Sequence, residues 1–503
     1  MTDERPLIGL DVGTTSVRSV RFDKQGRPTR AASARQRTRT PRPGWVEQDA
    51  EELYRLAVRT LREVAPRRGE APVIGVTNQR ESLVAIDART GRPLAPVIVW
   101  QDTRTEAIAR ELSQGAWGER VWDKGGLPLT TYPTAPKMLW LLRHDASVRK
   151  AAEKERLLLG TVDSWIMYRL LGGARGGAPW TTDASNASRT LLYDLEAGGW
   201  SDPLLEHFRV ARGSLPEVRP SFGTVLGEVS ASLGLPRGSS IGADLGDQQA
   251  GLLGVGGLRS GAAKLTFGTG AFFLAEGAPA GSGRRQGLIR TILYEDVSGK
   301  RAWALEGGVG AAGSFLDWLC GQGIGLFEGL SDLERAARQA DPQHGLLFLP
   351  AFAGLFAPHW KSFARGSLLG LSRATSRNEL ALAAFEGIAH RVADILESYE
   401  AARGGSPPLL WTDGGLSRSS LLLQLVADLS GVSLSRSPVM EATARGAALA
   451  AGLTAGVFGS PEDLPMPTPR RRATWRPQLS TKDRREQRSR WASFLSSLPG
   501  PFP

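Results

Sequence analysis

Two segments of this 503-residue chain, far apart in sequence, share one pattern: an apolar run, a turn built on Gly-Thr, and a second apolar run. The first is Leu7–Asp11, then Gly13, Thr14, Thr15 and Ser16, then Val17–Phe22. The second is Ala263–Phe267, then Gly268, Thr269 and Gly270, then Ala271–Ala275. Apolar runs flanking a turn of small residues predict β-hairpins. One such hairpin opens each half of the chain, which predicts two duplicated α/β domains facing each other. Further apolar runs at Val73–Val76, Leu83–Ile86, Val97–Trp100 and Leu409–Thr412 predict strands. Helical patterns cover Glu51–Val64, Arg104–Leu112, Lys137–His144, Ser419–Leu429 and Lys482–Leu495. Strands alternating with helices define an α/β class. The polar loop after Ser239–Asp247 and the Gly/Leu-rich stretch to Gly261 mark a boundary, giving expected domains 1–250 and 251–503. The Gly-rich segment Gly172–Ala178 predicts a mobile loop.

Charge narrows the partners little. The chain holds 62 basic and 51 acidic residues, a net +11. Only nine of the basic residues are lysines, and the arginines are spread along the chain. A nucleic-acid or membrane surface needs that excess clustered, so neither partner is expected. Cys320 is the single cysteine, so no internal disulfide forms. The five histidines lack metal-ligand spacing. The first residues, MTDERPLIGLDVG, are not those of a signal peptide, and no run of about 18 apolar residues predicts a membrane span. The expected address is the cytoplasm.

Several residues fall where chemistry is done. Asp11 ends a strand, where a carboxylate can hold Mg²⁺ through water. The Gly-Thr-Thr turn that follows offers N–H groups and hydroxyls to a phosphate, and Arg18 on the returning strand adds charge. The turn Gly268–Gly270 has the same properties. GxxxxGK[ST] is absent, so a P-loop NTPase is not expected. A formal GxGxxG occurs at Gly308–Gly313, but mid-chain, where it reads as a helix N-terminus approaching something closely. Asp247 lies on a loop after a strand and is a candidate general base, with Asp244 competing for the role. Arg80 and Glu81 form an adjacent pair able to donate to and accept from hydroxyls. Trp100, Tyr132 and Phe272 offer flat faces to the carbons of a small polyol. Gly414 and Gly415 follow a strand and let a flat ligand approach the backbone.

Taken in order, these segments resemble the FGGY carbohydrate kinases over nearly the whole chain. The matches are Leu10–Ser16, Pro43–Asp49, Gly75–Glu81, Ile98–Gln101, Gly160–Trp165, Thr182–Thr190, Gly246–Gln249, Phe267–Gly270, Ala357–Trp360 with Ala364–Gly366, and Asp413–Gly415. Tyr132, Thr134, Lys137, Met138, Trp140 and Leu141 meet a family signature. The resemblance implies two actin-like, ribonuclease-H-like ATPase domains flanking a central cleft, with ATP and Mg²⁺ as cosubstrate and cofactor. Within the family, Asn78–Glu81 points to glycerol as the acceptor, phosphorylated to sn-glycerol 3-phosphate. The alternatives are another polyol or ketose (erythritol, xylulose, ribulose) or a non-catalytic polyol sensor. A homo-oligomer is left open.

By the resemblance, Arg80, Glu81, Tyr132, Asp247 and Gln248 hold the polyol hydroxyls, with Trp100 and Phe272 against its carbons. Asp247 is the base, and Asp11 and Asp247 organise Mg²⁺. Thr14, Thr15, Ser16 and Arg18 meet the phosphates. Gly268, Thr269, Gly313, Asp317, Gly414, Gly415 and Ser419 hold the nucleotide. Departures from the family pattern are Val12 for Gln, Phe267 for Tyr, Asp317 for Gln, Ser419 for Asn and Lys361 for Asp. They bear on nucleotide affinity more than on the acceptor. The family's Gly-rich loop for fructose 1,6-bisphosphate is not recognisable in Glu228–Ser240.

Overall fold

Three strands read LIGLDV, VIGVTN and SIGADLG, and all but one of their residues are buried. Strands covered on both faces lose the alternation of a half-exposed sheet. The computed structural model describes residues 5–66, 70–257, 261–278, 286–321, 323–352 and 354–498. In it the three run parallel and adjacent: Leu7–Val12 beside Val73–Asn78, and Val73–Asn78 beside Ser240–Gly246. Antiparallel Ser16–Phe22 and Pro28–Arg35 extend the sheet on one side, and Phe222–Glu228 closes the other.

Helices cover both faces of this sheet. Ile8, Leu10 and Val12 pack with Leu53, Ala57 and Leu61 of the helix Ala50–Val64. Residues between them in sequence point the other way. There the strands carry Gly9 and Gly75, and the helix Ala442–Thr454 lies against them. A β-carbon on Gly9 would fall 1.8 Å from the Ala444 carbonyl oxygen, and one on Gly75 1.9 Å from that of Ala447. Only glycine allows so close an approach of helix to sheet.

That helix comes from late in the sequence. The first compact unit is Met1–Arg259, Arg290–Ala304 and Glu441–Met466; the second is Ser260–Ile289, Leu305–Met440 and Pro467–Pro503. The compact units therefore divide the chain differently from a single cut between residues 250 and 251, because the covering helix is supplied by a returning segment.

In the second unit, Ala263–Phe267 and Ala271–Glu276 form the expected hairpin, with Phe267 opposite Ala271. Leu410–Asp413 pairs parallel to Ala263–Phe267, Leu434–Arg436 parallel to that, and Thr474–Trp475 closes the edge antiparallel. The run of hairpin, two parallel neighbours and an antiparallel edge strand repeats the order of the first unit. This is the duplication that the paired Gly-Thr turns signal.

The helix Arg377–Arg403 opens on a capping box between Ser376 and Glu379, stops at Gly404 and packs on Ser420–Ser430. Its buried Asp394 accepts from His359 Nε2 at 3.0 Å and from Trp491 Nε1 at 3.1 Å, and pairs with Arg391 and Arg488. Arg488 and Trp491 belong to the helix Thr481–Ser496, which this network ties down. Burial pushes the Asp394 carboxyl up, but the His359 hydrogen bond and the Arg391 and Arg488 charges outweigh it. The net effect holds the carboxyl below its ordinary range.

Some local expectations shift. The strand expected over Val97–Trp100 is only Val97–Ile98, with Trp100 in a turn. The segment expected as a mobile loop at Gly172–Ala178 holds a 3₁₀ turn, Gly173–Gly176, with Gly172 and Gly177 in left-handed backbone. Among the described residues, no helix is long and apolar enough to cross a membrane.

Candidate active site

The three parallel strands of the first unit end in register. Val12 lies opposite Asn78, and Asn78 opposite Gly246. The chain leaving each strand therefore arrives at one edge of the sheet. From the first comes the turn Gly13–Ser16, from the second Gln79, Arg80 and Glu81, from the third Asp247 and Gln248. Carboxyl ends of adjacent parallel strands are where α/β sheets bind ligands.

Arg80 and Asp247 meet there. Arg80 Nε donates to Asp247 Oδ1 at 3.0 Å; the guanidinium is 3% exposed and the carboxylate 30%. The charge of Asp247 is thus backed by a buried cation, while the carboxylate itself stays partly exposed. Asp247 is the first residue of the helix Asp247–Gly256, and its Oδ1 also accepts from the Gln248 backbone N–H at 2.8 Å. Gln248 Oε1 is buried with no partner among the described residues.

Glu81 takes left-handed backbone, φ 60°, unusual for a residue with a long side chain. Its carboxylate accepts from Arg189 Nε at 2.6 Å, and this pair is buried on both sides. The Arg189 guanidinium lies 5.7 Å from the centre of the Tyr132 ring. Tyr132 meets Trp100 edge to face at 5.9 Å, and Trp100 Nε1 donates to Thr14 Oγ1 at 2.9 Å. One continuous set of contacts thus runs Glu81, Arg189, Tyr132, Trp100, Thr14.

The turn itself is braced from behind. Gln36 Nε2 donates to the carbonyls of Gly13 and Thr14, and Gln48 Nε2 to that of Thr14 at 2.8 Å. Gln79 Nε2 in turn holds Gln48 Oε1 at 2.7 Å. With its carbonyls engaged, the turn keeps Thr15 exposed and Ser16 half-buried. Arg18 lies opposite Asp11 in the hairpin and pairs with Glu441 at 3.2 Å.

Asp244 does not compete with Asp247. It is wholly buried within Ser240–Gly246. Burial, with the carboxylates of Asp163 and Asp183 beside it, pushes its carboxyl well above the ordinary range. A carboxyl buried within the strand is poorly placed to take a proton arriving at the sheet edge.

In the second unit, Thr266 and Asp413 are opposite each other at the ends of parallel strands, so Gly268–Gly270 and Gly414–Gly415 emerge side by side. Gly313 starts the helix Gly313–Leu319, and its N–H donates to the Gly268 carbonyl at 3.1 Å. The Ala312 and Ser314 N–H groups donate to the Thr269 carbonyl. What this helix start approaches closely is therefore the Gly268–Thr269 turn. Asp317 on the same helix is exposed. Gly414 has φ 85° and sits against the Phe267 carbonyl. The Ser419 hydroxyl caps the helix Ser420–Ser430 through the Leu422 N–H at 3.2 Å. Phe272 belongs to this unit, packed near Gly308.

Family comparison decides what this arrangement belongs to. Residues 7–254 match the N-terminal domain, and residues 263–455 the C-terminal domain, of the FGGY family of carbohydrate kinases. The chain is an FGGY carbohydrate kinase. A glycerol kinase of Roseiflexus sp. (strain RS-1) is 37% identical over 97% of this chain and 98% of its own length. One of Methylorubrum extorquens (strain PA1) is 39% identical over 96% of each. Among solved structures, Plasmodium falciparum glycerol kinase with ADP superposes with a TM-score of 0.87 at 28% identity, covering 98% of both chains. A xylulose kinase from Rhodospirillum rubrum superposes at 0.81 and 26%, again over 98% of both.

The residues that the sequence left without a role in this kinase are Arg189, Gln36, Gln48 and Lys137. Arg189 and Gln48 stood inside quoted motifs and Lys137 inside the family signature. Lys137 carries the signal of a charged side chain amid apolar neighbours, whereas Arg189, Gln36 and Gln48 stand among polar residues, with nothing to name their partners.

Proposed function

We propose that this FGGY kinase transfers the γ-phosphoryl group of ATP to a terminal hydroxyl of glycerol, giving sn-glycerol 3-phosphate and ADP, with Asp247 as general base. The observation that carries the reading is the pairing of the partly exposed Asp247 carboxylate with the buried Arg80 guanidinium at the sheet edge where Glu81 and Gln248 also emerge. The acceptor hydroxyl attacks the γ-phosphorus in line, its proton passes to Asp247, and the bond from phosphorus to the β,γ-bridging oxygen breaks.

Each polyol hydroxyl has a matched group. Arg80 donates, Glu81 accepts, and the partnerless Gln248 Oε1 accepts a hydroxyl that a buried acceptor otherwise lacks. Tyr132 and Trp100 would bound the carbon chain. A three-carbon polyol suits this set, and full-length relatives at 37–39% identity are glycerol kinases.

Thr14, Thr15, Ser16 and Arg18 would meet the phosphates, on a turn whose carbonyls are held back by Gln36 and Gln48. Gly268, Thr269, Gly313, Asp317, Gly414, Gly415 and Ser419 would hold the rest of the nucleotide. Among the described residues, no group of three or more His, Cys, Asp or Glu side chains could cage a metal. Mg²⁺ keeps several waters and takes one or two carboxylates beside substrate phosphates. Asp11 and Asp247 are the carboxylates that would hold it; when bound, the ion offsets phosphate charge. A lone, buried Cys320 accords with a reducing compartment such as the cytoplasm.

Titration calorimetry with glycerol tests the acceptor site. Arg80→Ala removes charged hydrogen bonds and is expected to weaken glycerol binding by about tenfold to a hundredfold. Unchanged affinity would remove Arg80 from the site.

A further inference from the structure

Lys137 is wholly buried in the helix Thr134–His144. Its ammonium donates to the backbone carbonyl oxygens of Tyr132 at 2.5 Å and of Pro133 at 2.9 Å. Those carbonyls belong to the short stretch that delivers Tyr132 and then enters the helix, a helix start without a side-chain cap. The charges that face the ammonium are the carboxylates of Glu81 and Asp102, which favour it, and the guanidinium of Arg104, which opposes it. Buried cations are expensive and are ordinarily paired at hydrogen-bond distance; here the bonds go to two carbonyls of one turn.

We propose that Lys137 is a positioning residue for acceptor recognition: its ammonium locks the Tyr132–Pro133 backbone so that Tyr132 and Glu81 are held in register for the polyol. The proposal rests on the reading of Tyr132 and Glu81 as acceptor ligands. It does not involve the nucleotide, because both groups that Lys137 acts on lie on the acceptor side of the assignment.

Burial outweighs the two carboxylates and holds the ammonium pKa down at about 7. The charged form is therefore present below that pH and lost above it. In the wild-type enzyme the polyol KM is expected to rise as pH increases through about 7, while the KM for ATP stays level. Lys137→Met keeps the length and apolar stem but removes the charge and the donors. Its polyol KM is expected to rise by about tenfold, as for the loss of a charged hydrogen bond. Its KM for ATP and its kcat at saturating polyol are expected to stay within about twofold, and its polyol KM to lose the pH dependence.

A purely structural role would shift both KM values and the melting temperature together. An unchanged polyol KM in Lys137→Met overturns the proposal, and so does a flat wild-type polyol KM between about pH 6 and 9. Should Lys137→Met not fold, Lys137→Gln is read in its place, and an unchanged polyol KM there overturns the proposal. Absence of wild-type turnover with any polyol would remove the acceptor reading and this proposal with it. Turnover with a flat profile would remove only the proposal.

Discussion

Asp247→Asn is expected to lower kcat by roughly 10²–10⁴-fold, the usual weight of a positioned general base. The substitution is nearly isosteric. An amide oxygen can still accept from Arg80 Nε and from the Gln248 N–H, which Asp247 Oδ1 accepts at 3.0 and 2.8 Å. The fold and the helix start should therefore survive, with a melting temperature lowered by the loss of the charge opposite the buried Arg80. What the amide cannot do is take the proton of the attacking hydroxyl. Because the charge on Arg80 is then uncompensated, the glycerol KM should move as well, but by far less than kcat. Steady-state ADP release measures both. A kcat near the wild-type value would show that the base lies elsewhere, and not at Asp244, which is wholly buried within its strand.

The second large effect lies away from all candidate ligands. Asp394→Ala is expected to destabilise the protein by about 3–5 kcal/mol, since it leaves the buried guanidinium of Arg391 without its carboxylate and takes one of two from Arg488, which keeps Glu397. It also removes the acceptor of His359 and of the Trp491 indole, so the helix Thr481–Ser496 loses its anchor. The folded-state pKa of Asp394 is depressed, so its contribution is present above the ordinary carboxylate pKa and is lost as pH falls through the folded value. The gap between wild type and variant should therefore be full at neutral pH and shrink on acidification. Denaturant midpoints at several pH values measure this, and kcat measured well below the melting range should be preserved. A variant as stable as wild type at pH 7 would mean that the buried pairs only break even against their desolvation.

The hairpins and the parallel strands were legible because they are local: an apolar run, a small-residue turn, an apolar return. The strand at Val97–Trp100 was overextended because the apolar pattern continues through Val99 and Trp100 while the backbone already turns. The covering helix Ala442–Thr454 was not legible as part of the first unit. Its reason for being there is the bare faces of Gly9 and Gly75, hundreds of residues upstream. In the candidate site, Arg80 and Asp247 are both assigned to the acceptor through family resemblance, but their ion pair was not legible, since 167 residues separate them. Asp244 and Asp247 looked alike in sequence; burial separates them. Arg189 and Lys137 were visible as residues but not as contacts, because only the folded sheet edge brings one to Glu81 and the other to the Tyr132 carbonyl.

ADP release with Mg-ATP, measured across glycerol, dihydroxyacetone, erythritol, xylulose and ribulose, tests the central assignment most directly. The highest kcat/KM is expected with glycerol. A clear preference for xylulose or ribulose would contradict the assignment of the acceptor, and no turnover with any of the five would contradict the proposed reaction itself.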